Sequence, residues 1–123
     1  PSGLAIDSDD NIFVVDAGNN RVQKFSLDGK YISQFGKQGS ADGEFNNPWG
    51  IALDSEGHVY IADWRNDRIQ KFTADGQWEA SIGSTGSGVG QLNRPNGLAV
   101  DADGDIYVAD WMNNRVQVFA PDG

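Results

Sequence analysis

Cysteine is absent from the 123 residues, histidine and methionine occur once each, and basic side chains are half as numerous as acidic ones. Without cysteine there are no disulfides and no thiol chemistry, and the cellular compartment is left open. The single histidine, His58, removes zinc sites built on several imidazoles and would rest a Ser-His-Asp triad on one turn residue, so it is expected to be an exposed polar turn position. No apolar run approaches the length of a membrane span. The 9 Lys and Arg against 18 Asp and Glu give a net charge of -9, a field of the wrong sign for binding phosphates, and nucleic acid is disfavoured as a partner. Many of the acids stand in turn sequences, where Asp suits the backbone for reasons unrelated to a ligand.

What is present is repetition. Gly97-Leu98-Ala99-Val100-Asp101, Ile106-Tyr107-Val108-Ala109-Asp110 and Arg115-Val116-Gln117-Val118-Phe119 form a succession of three short runs. Counting back 47 residues finds Gly50 to Asp54, Val59 to Asp63 and Arg68 to Phe72, and another 47 finds Gly3 to Asp7, Ile12 to Asp16 and Arg21 to Phe25. A period of this size marks a repeat architecture in which each unit buries its apolar face on a neighbour.

Within one repeat, Val59-Tyr60-Ile61-Ala62 is β-branched or aromatic and apolar on both sides of the chain, which predicts a short strand covered on both faces. Asp54-Ser55-Glu56-Gly57-His58 is turn chemistry, so Gly50–Asp54 and Val59–Asp63 read as a hairpin. Trp64-Arg65-Asn66-Asp67 is a second tight connection to a strand over Arg68–Thr73, and Ala74-Asp75-Gly76 turns into a more exposed fourth strand, Trp78–Gly83. A Gly- and Ser-rich crossing, Ser84–Arg94, leads to the next repeat. No stretch has helical period. The fold class is therefore all-β, built of four-stranded antiparallel meanders, which is the pattern of β-propeller blades.

The residues also resemble a known family. Pro-x-Gly-[Leu/Ile]-Ala-x-Asp, then Tyr-[Val/Ile]-Ala-Asp-Trp, then Asn-x-Arg-[Val/Ile]-Gln-x-Phe followed by Asp-Gly is similar to the NHL repeat, over the whole chain. The resemblance implies a propeller, usually six-bladed and usually a binding platform. The divisions are blade one over 1–47, blade two over 48–94 and a partial blade three over 95–123, an incomplete ring, since closure needs at least about 4 blades. Further blades come either from the rest of a longer chain or from other copies of this one. Exposure of apolar faces and strand edges in an open stack favours the longer chain. Blade one departs from the pattern with Ala17-Gly18 where later copies have Trp64-Arg65 and Trp111-Met112.

Asp16 and Arg21, Asp63 and Arg68, Asp110 and Arg115 bracket the same connection in each repeat. A catalytic group is needed once and a blade lock in every blade, so these are read as structural ion pairs rather than acids or bases. Asp101-Ala102-Asp103-Gly104-Asp105 imitates the start of an EF-hand loop, but its glycine stands fourth rather than sixth and the twelfth residue is Met112. It reads as a hairpin turn. No cofactor or metal is expected.

In a meander, the loop entering strand one and the loop joining strands two and three lie at the same end. Trp49, Trp64 and Trp111 therefore share one face with Arg65, Arg94, Asn96 and Met112. Aromatics with a few cations and amides are enriched at interfaces, although indoles also serve as lids over blade ends. Trp78 belongs to the outer rim. The leading reading is a non-enzymatic module that holds a protein, peptide or glycan on this face. One alternative is part of a six-bladed lyase or lactonase whose catalytic set lies outside this chain. First-strand residues Leu4, Ile6, Ile51, Leu53, Leu98 and Val100 weigh against that, being apolar rather than His or Glu. Another alternative is a designed or duplicated repeat protein that completes a propeller by oligomerisation.

Overall fold

The computed structural model describes residues 1–123 as three antiparallel sheets set side by side. Blade one orders β1 (Gly3–Ile6), β2 (Asn11–Asp16), β3 (Arg21–Ser26) and β4 (Tyr31–Phe35) as a simple meander. Blade two repeats it with β5 (Pro48–Leu53), β6 (Val59–Asp63), β7 (Arg68–Phe72) and β8 (Trp78–Ile82), and blade three has β11 (Pro95–Val100), β12 (Ile106–Asp110) and β13 (Arg115–Phe119). The expected propeller architecture is present, and the sheets do not close into a ring. Helical turns are limited to three-residue 3₁₀ segments after β2, β6 and β12, each ended by a residue in the left-handed region, Asn20, Asp67 and Asn114. Asn and Asp tolerate that conformation best among non-glycine residues.

The alternation of β6 explains the stacking. Val59 and Ile61 point to blade one and pack with Phe13, Val15 and Val22, while Tyr60 and Ala62 point to blade three and pack with Ile106 and Val108. Period-2 geometry in a strand apolar on both faces thus places blade two between two cores. Each core is completed from the crossing segments, by fully buried Phe45 in the first and Leu92 in the second. The crossings are more ordered than their composition suggests. Gln38 bridges to Phe45, and β9 (Ser84–Thr85) pairs in parallel with β10 (Gln91–Leu92).

First strands approach each other closely along the inner edge. A Cβ on Gly50 would overlap the carbonyl oxygen of Asn96, and one on Gly3 would stand 2.9 Å from that of Trp49. The fourth strands β4 and β8 are the most solvated, as expected for an outer rim.

His58 departs from expectation. Its ring is half-buried, with Nδ1 2.9 Å from Asp54 Oδ2 and Nε2 3.4 Å from Glu79 Oε1. The turn folds back on the outer strand, so the ring lies between two carboxylates instead of in open solvent. Asp54 Oδ2 also accepts from the Tyr60 hydroxyl at 3.0 Å. Burial alone would raise the Asp54 carboxyl, but the bonds from the His58 amide, the Tyr60 hydroxyl and the Glu56 amide prevail and hold it below the usual carboxylate value. Burial, with Asp54 beside it, pushes the Tyr60 phenol well above its ordinary range.

Candidate functional site

The end of the stack carrying the connections after β6 and β12 holds three indoles in an arc. Ring centroids of Trp49 and Trp64 are 6.4 Å apart and inclined at 40°, and those of Trp64 and Trp111 are 6.1 Å apart at 32°. The arc crosses from blade two to blade three and, with Asn96, lines a concavity of about 210 Å³. Trp49 is 47% exposed and Trp111 is 52% exposed. Of the four tryptophans only Trp78, out on β8, donates its indole N–H within the chain, to Ser81 Oγ at 3.3 Å. The Nε1–H groups of Trp49, Trp64 and Trp111 are left for solvent or a ligand.

Backbone irregularity sets the arc. Pairing of β5 with β6 jumps from Pro48 opposite Asp63 to Ile51 opposite Ile61, and this irregularity leaves Trp49 and Gly50 outside the ladder, with Trp49 at the blade end. The corresponding jump in β11, between Pro95 and Gly97, does the same for Asn96. Trp64 and Trp111 open their 3₁₀ turns at equivalent places.

Two guanidiniums flank the middle indole, Arg65 Cζ at 5.6 Å and Arg94 Cζ at 5.4 Å from the Trp64 ring. Arg94 has φ +55, a region that bulky residues rarely enter. Buried Asp67 holds it there, its Oδ1 accepting from the Arg94 amide at 2.7 Å and from Nη1 at 3.1 Å. Asp67 is a positioning residue that sequence reading passed over as one more turn acid. Met112 is exposed beside the arc, and blade one offers only Ser2, Ala17 and Gly18 at the equivalent places.

The three Asp–Arg pairs lie behind this face and are all formed, at 3.0 Å for Asp16–Arg21 and 2.9 Å for both Asp63–Arg68 and Asp110–Arg115. They belong to larger networks. Asp63 accepts from the Asn46 amide at 2.8 Å, Asn66 Nδ2 at 2.9 Å and Gln70 Nε2 at 3.1 Å. Arg68 Nη2 donates back to the carbonyls of Ala41 and Glu44. Asp110 is surrounded in the same way by the Asn93 amide, Asn113, Arg115 and Gln117. In blade one Arg21 reaches Gln34 instead, and Asp16 keeps only Asn19 and Arg21 as side-chain donors.

Burial pushes the Asp63 carboxyl above its ordinary value against the donations of Asn46, Asn66 and Arg68. At Asp110 burial acts in the same direction, but the bonds from Asn93, Asn113 and Arg115 win and the carboxyl is lowered. The donors to the two carboxylates match atom for atom, and the difference follows from position, since blade two is covered on both sides and the outer face of blade three is open. Asp16 is lowered chiefly by Asn19, with Arg21 adding to it against a burial effect. The EF-hand lookalike is spent on its own turn: Asp101 Oδ1 accepts from the Asp103 and Asp105 amides, and Oδ2 from the Tyr107 hydroxyl. No group of three or more His, Asp or Glu has a metal-binding arrangement.

Comparison with known proteins follows the same repeats. The NHL repeat profile matches residues 1–25, 45–72 and 92–119. Protein brain tumor of Drosophila melanogaster is 38% identical over 48 residues, 39% of this chain and 5% of that protein. Among solved structures, a virginiamycin B lyase from Staphylococcus aureus superposes with a TM-score of 0.77 at 18% identity, over 100% of this chain and 39% of the lyase. A streptogramin B lyase gives 0.76 at 22% identity, over 98% of this chain and 37% of that one. A chain of a nidogen/laminin complex gives 0.73 at 24% identity, over 95% and 46%. The chain thus spans less than half of each solved structure, and at these identities the likeness is one of fold.

Proposed function

The chain belongs to the NHL-repeat family, and from that membership we propose that it is a non-enzymatic binding scaffold whose ligand, a protein, peptide or glycan, lies on the arc of Trp49, Trp64 and Trp111. The observation that carries this reading is the pairing of exposed indole faces with unused indole donors across two blades. Such an arc offers apolar stacking surface and hydrogen bonds to carbonyls or hydroxyls at once. Arg65 and Arg94 supply further donors at its middle. A lid over the blade ends would have used its N–H groups on loop carbonyls beneath it. Against a hydrolytic or lyase role, Ile51, Leu53, Leu98 and Val100 of the first strands pack between blades.

The test is a peptide-display and glycan-array screen on the immobilised chain, followed by titration of the hits against three variants that are first checked for folding. Trp64→Ala and Trp111→Ala are expected to weaken binding by about 2 kcal/mol or more, and Trp78→Ala by well under 1 kcal/mol. Added salt should change affinity little, because no phosphate contacts are being screened. Loss of binding in Trp78→Ala alone would move the site to the rim. Salt-sensitive competition by RNA would overturn the ligand class.

A further inference from the structure

The concavity between the indoles has donors to give and no acceptors. Trp49, Trp64 and Arg65 belong to blade two, which has a blade packed on each side. Among the residues lining the concavity, the carbonyl of Trp49 accepts from Ser2 Oγ at 2.9 Å, that of Trp64 from the Asp67 amide at 3.4 Å and that of Trp111 from the Asn114 amide at 3.2 Å. The carbonyl of Asn96 is covered by Gly50, where a Cβ would stand 2.3 Å from it, and its side-chain Oδ1 accepts from the Gly97 amide at 2.9 Å. The donors are in the opposite condition. The three indole N–H groups, Asn96 Nδ2 and the guanidinium of exposed Arg65 have no partner within the chain.

Charge supplies an independent observation. A meander puts the turns between first and second strands at the far end of the stack, and those turns hold Asp54, Glu56, Asp101, Asp103 and Asp105. A strand length of about 17 Å separates them from the arc, beyond the Debye length of about 8 Å at physiological salt. Behind the arc, Asp63, Asp67 and Asp110 are buried and paired with Arg68, Arg94 and Arg115. Arg65, 5.6 Å from the Trp64 ring, has no carboxylate opposite it.

A surface of this kind selects its guest. Hydroxyls of a neutral glycan are donors as well as acceptors, and where indole faces exclude water each unpaired O–H costs about 1–3 kcal/mol. The amides of an ordinary extended peptide meet the same difficulty. A lysine or quaternary ammonium, the other guest of clustered indoles, would meet Arg65 and Arg94 already lying against Trp64. Nucleic acid repeats its charge at every phosphate against a single free guanidinium. Proline has a carbonyl and no N–H, and proline-rich segments dock in aromatic-lined grooves. We propose, resting on the arc as the binding face, that its ligand is a proline-rich segment in the polyproline II form, with an acidic side chain that pairs with Arg65. At about 3.1 Å per residue, roughly four residues of such a segment span the two centroid steps of 6.4 and 6.1 Å. Its carbonyls, unused within a polyproline II helix, accept from the indole N–H groups, and its preformed backbone lowers the ordering cost of binding.

The test is selection of short random peptides displayed on phage against the immobilised 123-residue chain, with depletion on Trp64→Ala and, separately, on Trp111→Ala, each first shown to keep the circular dichroism of the parent. Neutral oligosaccharides and single-stranded RNA are titrated against the same three proteins. Peptides held by the parent and lost by the variants should be rich in proline and carry Asp or Glu. For the tightest of them, Arg65→Gln should weaken binding about tenfold, replacing the acidic residue of the peptide by its amide should do the same, and combining the two changes should add little. Additive losses would overturn the pairing with Arg65. Variant-sensitive binders that lack proline or are rich in lysine overturn the proposal and leave the arc as the binding face, and so do neutral oligosaccharides or RNA held in the same way. Binders that both variants retain, or no binders at all, overturn the face and the proposal together.

Discussion

Removing the carboxylate of Asp63 should be far costlier than removing that of Asp16, although the two hold the same place in the repeat. Asp63→Ala deletes the acceptor of four donors: the Asn46 amide, Asn66, Arg68 and Gln70. Arg68, whose side chain is 12% exposed, is then left charged in a nearly closed site beside fully buried Gln70. Breaking a buried pair by removing one partner costs about 3–5 kcal/mol. Against the 5–15 kcal/mol that is typical of whole domains, this is roughly a fifth of the total or more. Asp16→Ala loses only the Asn19 and Arg21 bonds, and Arg21 at 31% exposure finds water, so about 1 kcal/mol is expected. Urea denaturation at fixed protein concentration reads the difference as a shift of midpoint at constant slope. Because repeat arrays can unfold blade by blade, amide exchange at Asn46 gives a local check: its protection should fall in Asp63→Ala while that of Asn93 is kept. Equal losses at the two positions, or a loss at Asp63 below about 1 kcal/mol, would refute the reasoning from burial.

Gly50→Ala should destabilise the chain by about 1–3 kcal/mol through overlap with the Asn96 carbonyl, whereas Gly97→Ala should leave the melting temperature of the single chain unchanged. Acid should also destabilise it. Asp16, Asp54 and Asp110 are lowered by folding, so their contribution is complete above the ordinary carboxylate value of about 3.9 and is lost as pH falls through their folded values. Asp63, being raised, works in the opposite sense and softens that loss. Asp110→Asn should therefore reduce the slope of unfolding free energy against pH in the acid arm by up to about 1.4 kcal/mol per pH unit, as measured by chemical denaturation at stepped pH. An unchanged slope would show that Asp110 titrates normally.

Much of the blade was legible because strand period and repeat period reinforce each other. Val59 to Ala62 is apolar at every position, and only a strand covered on both faces accommodates that. Trp49, Trp64 and Trp111 could be assigned to one end because a meander reverses direction at each turn. The crossings were not legible. Their Gly and Ser content hid Phe45 and Leu92, which fill the two cores, although their 47-residue spacing was a usable signal. Nor did Asp67 stand out from other turn acids, since its effect on Arg94 spans 27 residues of sequence. His58 was misplaced because its second carboxylate neighbour, Glu79, comes from the outer strand rather than from its own turn.

The networks around Asp63 and Asp110 also say where this chain can be cut. The backbone that closes each one comes from upstream: the Asn46 amide lies 17 residues before Asp63, and the Gly39 carbonyl lies 27 before Asn66. A cassette of residues 48–94 would carry Asp63, Arg68 and Gln70 without the segment that saturates them, and would export Gly86 to Asn93 with nothing to saturate. A cassette of residues 37–83 would keep plug and socket on one piece. Transplantation, permutation or insertion at the junction near Gly36 and Gly83 should therefore be tolerated where the visually obvious seam before Pro48 is not, because the transferable unit of this protein is offset from its sheets.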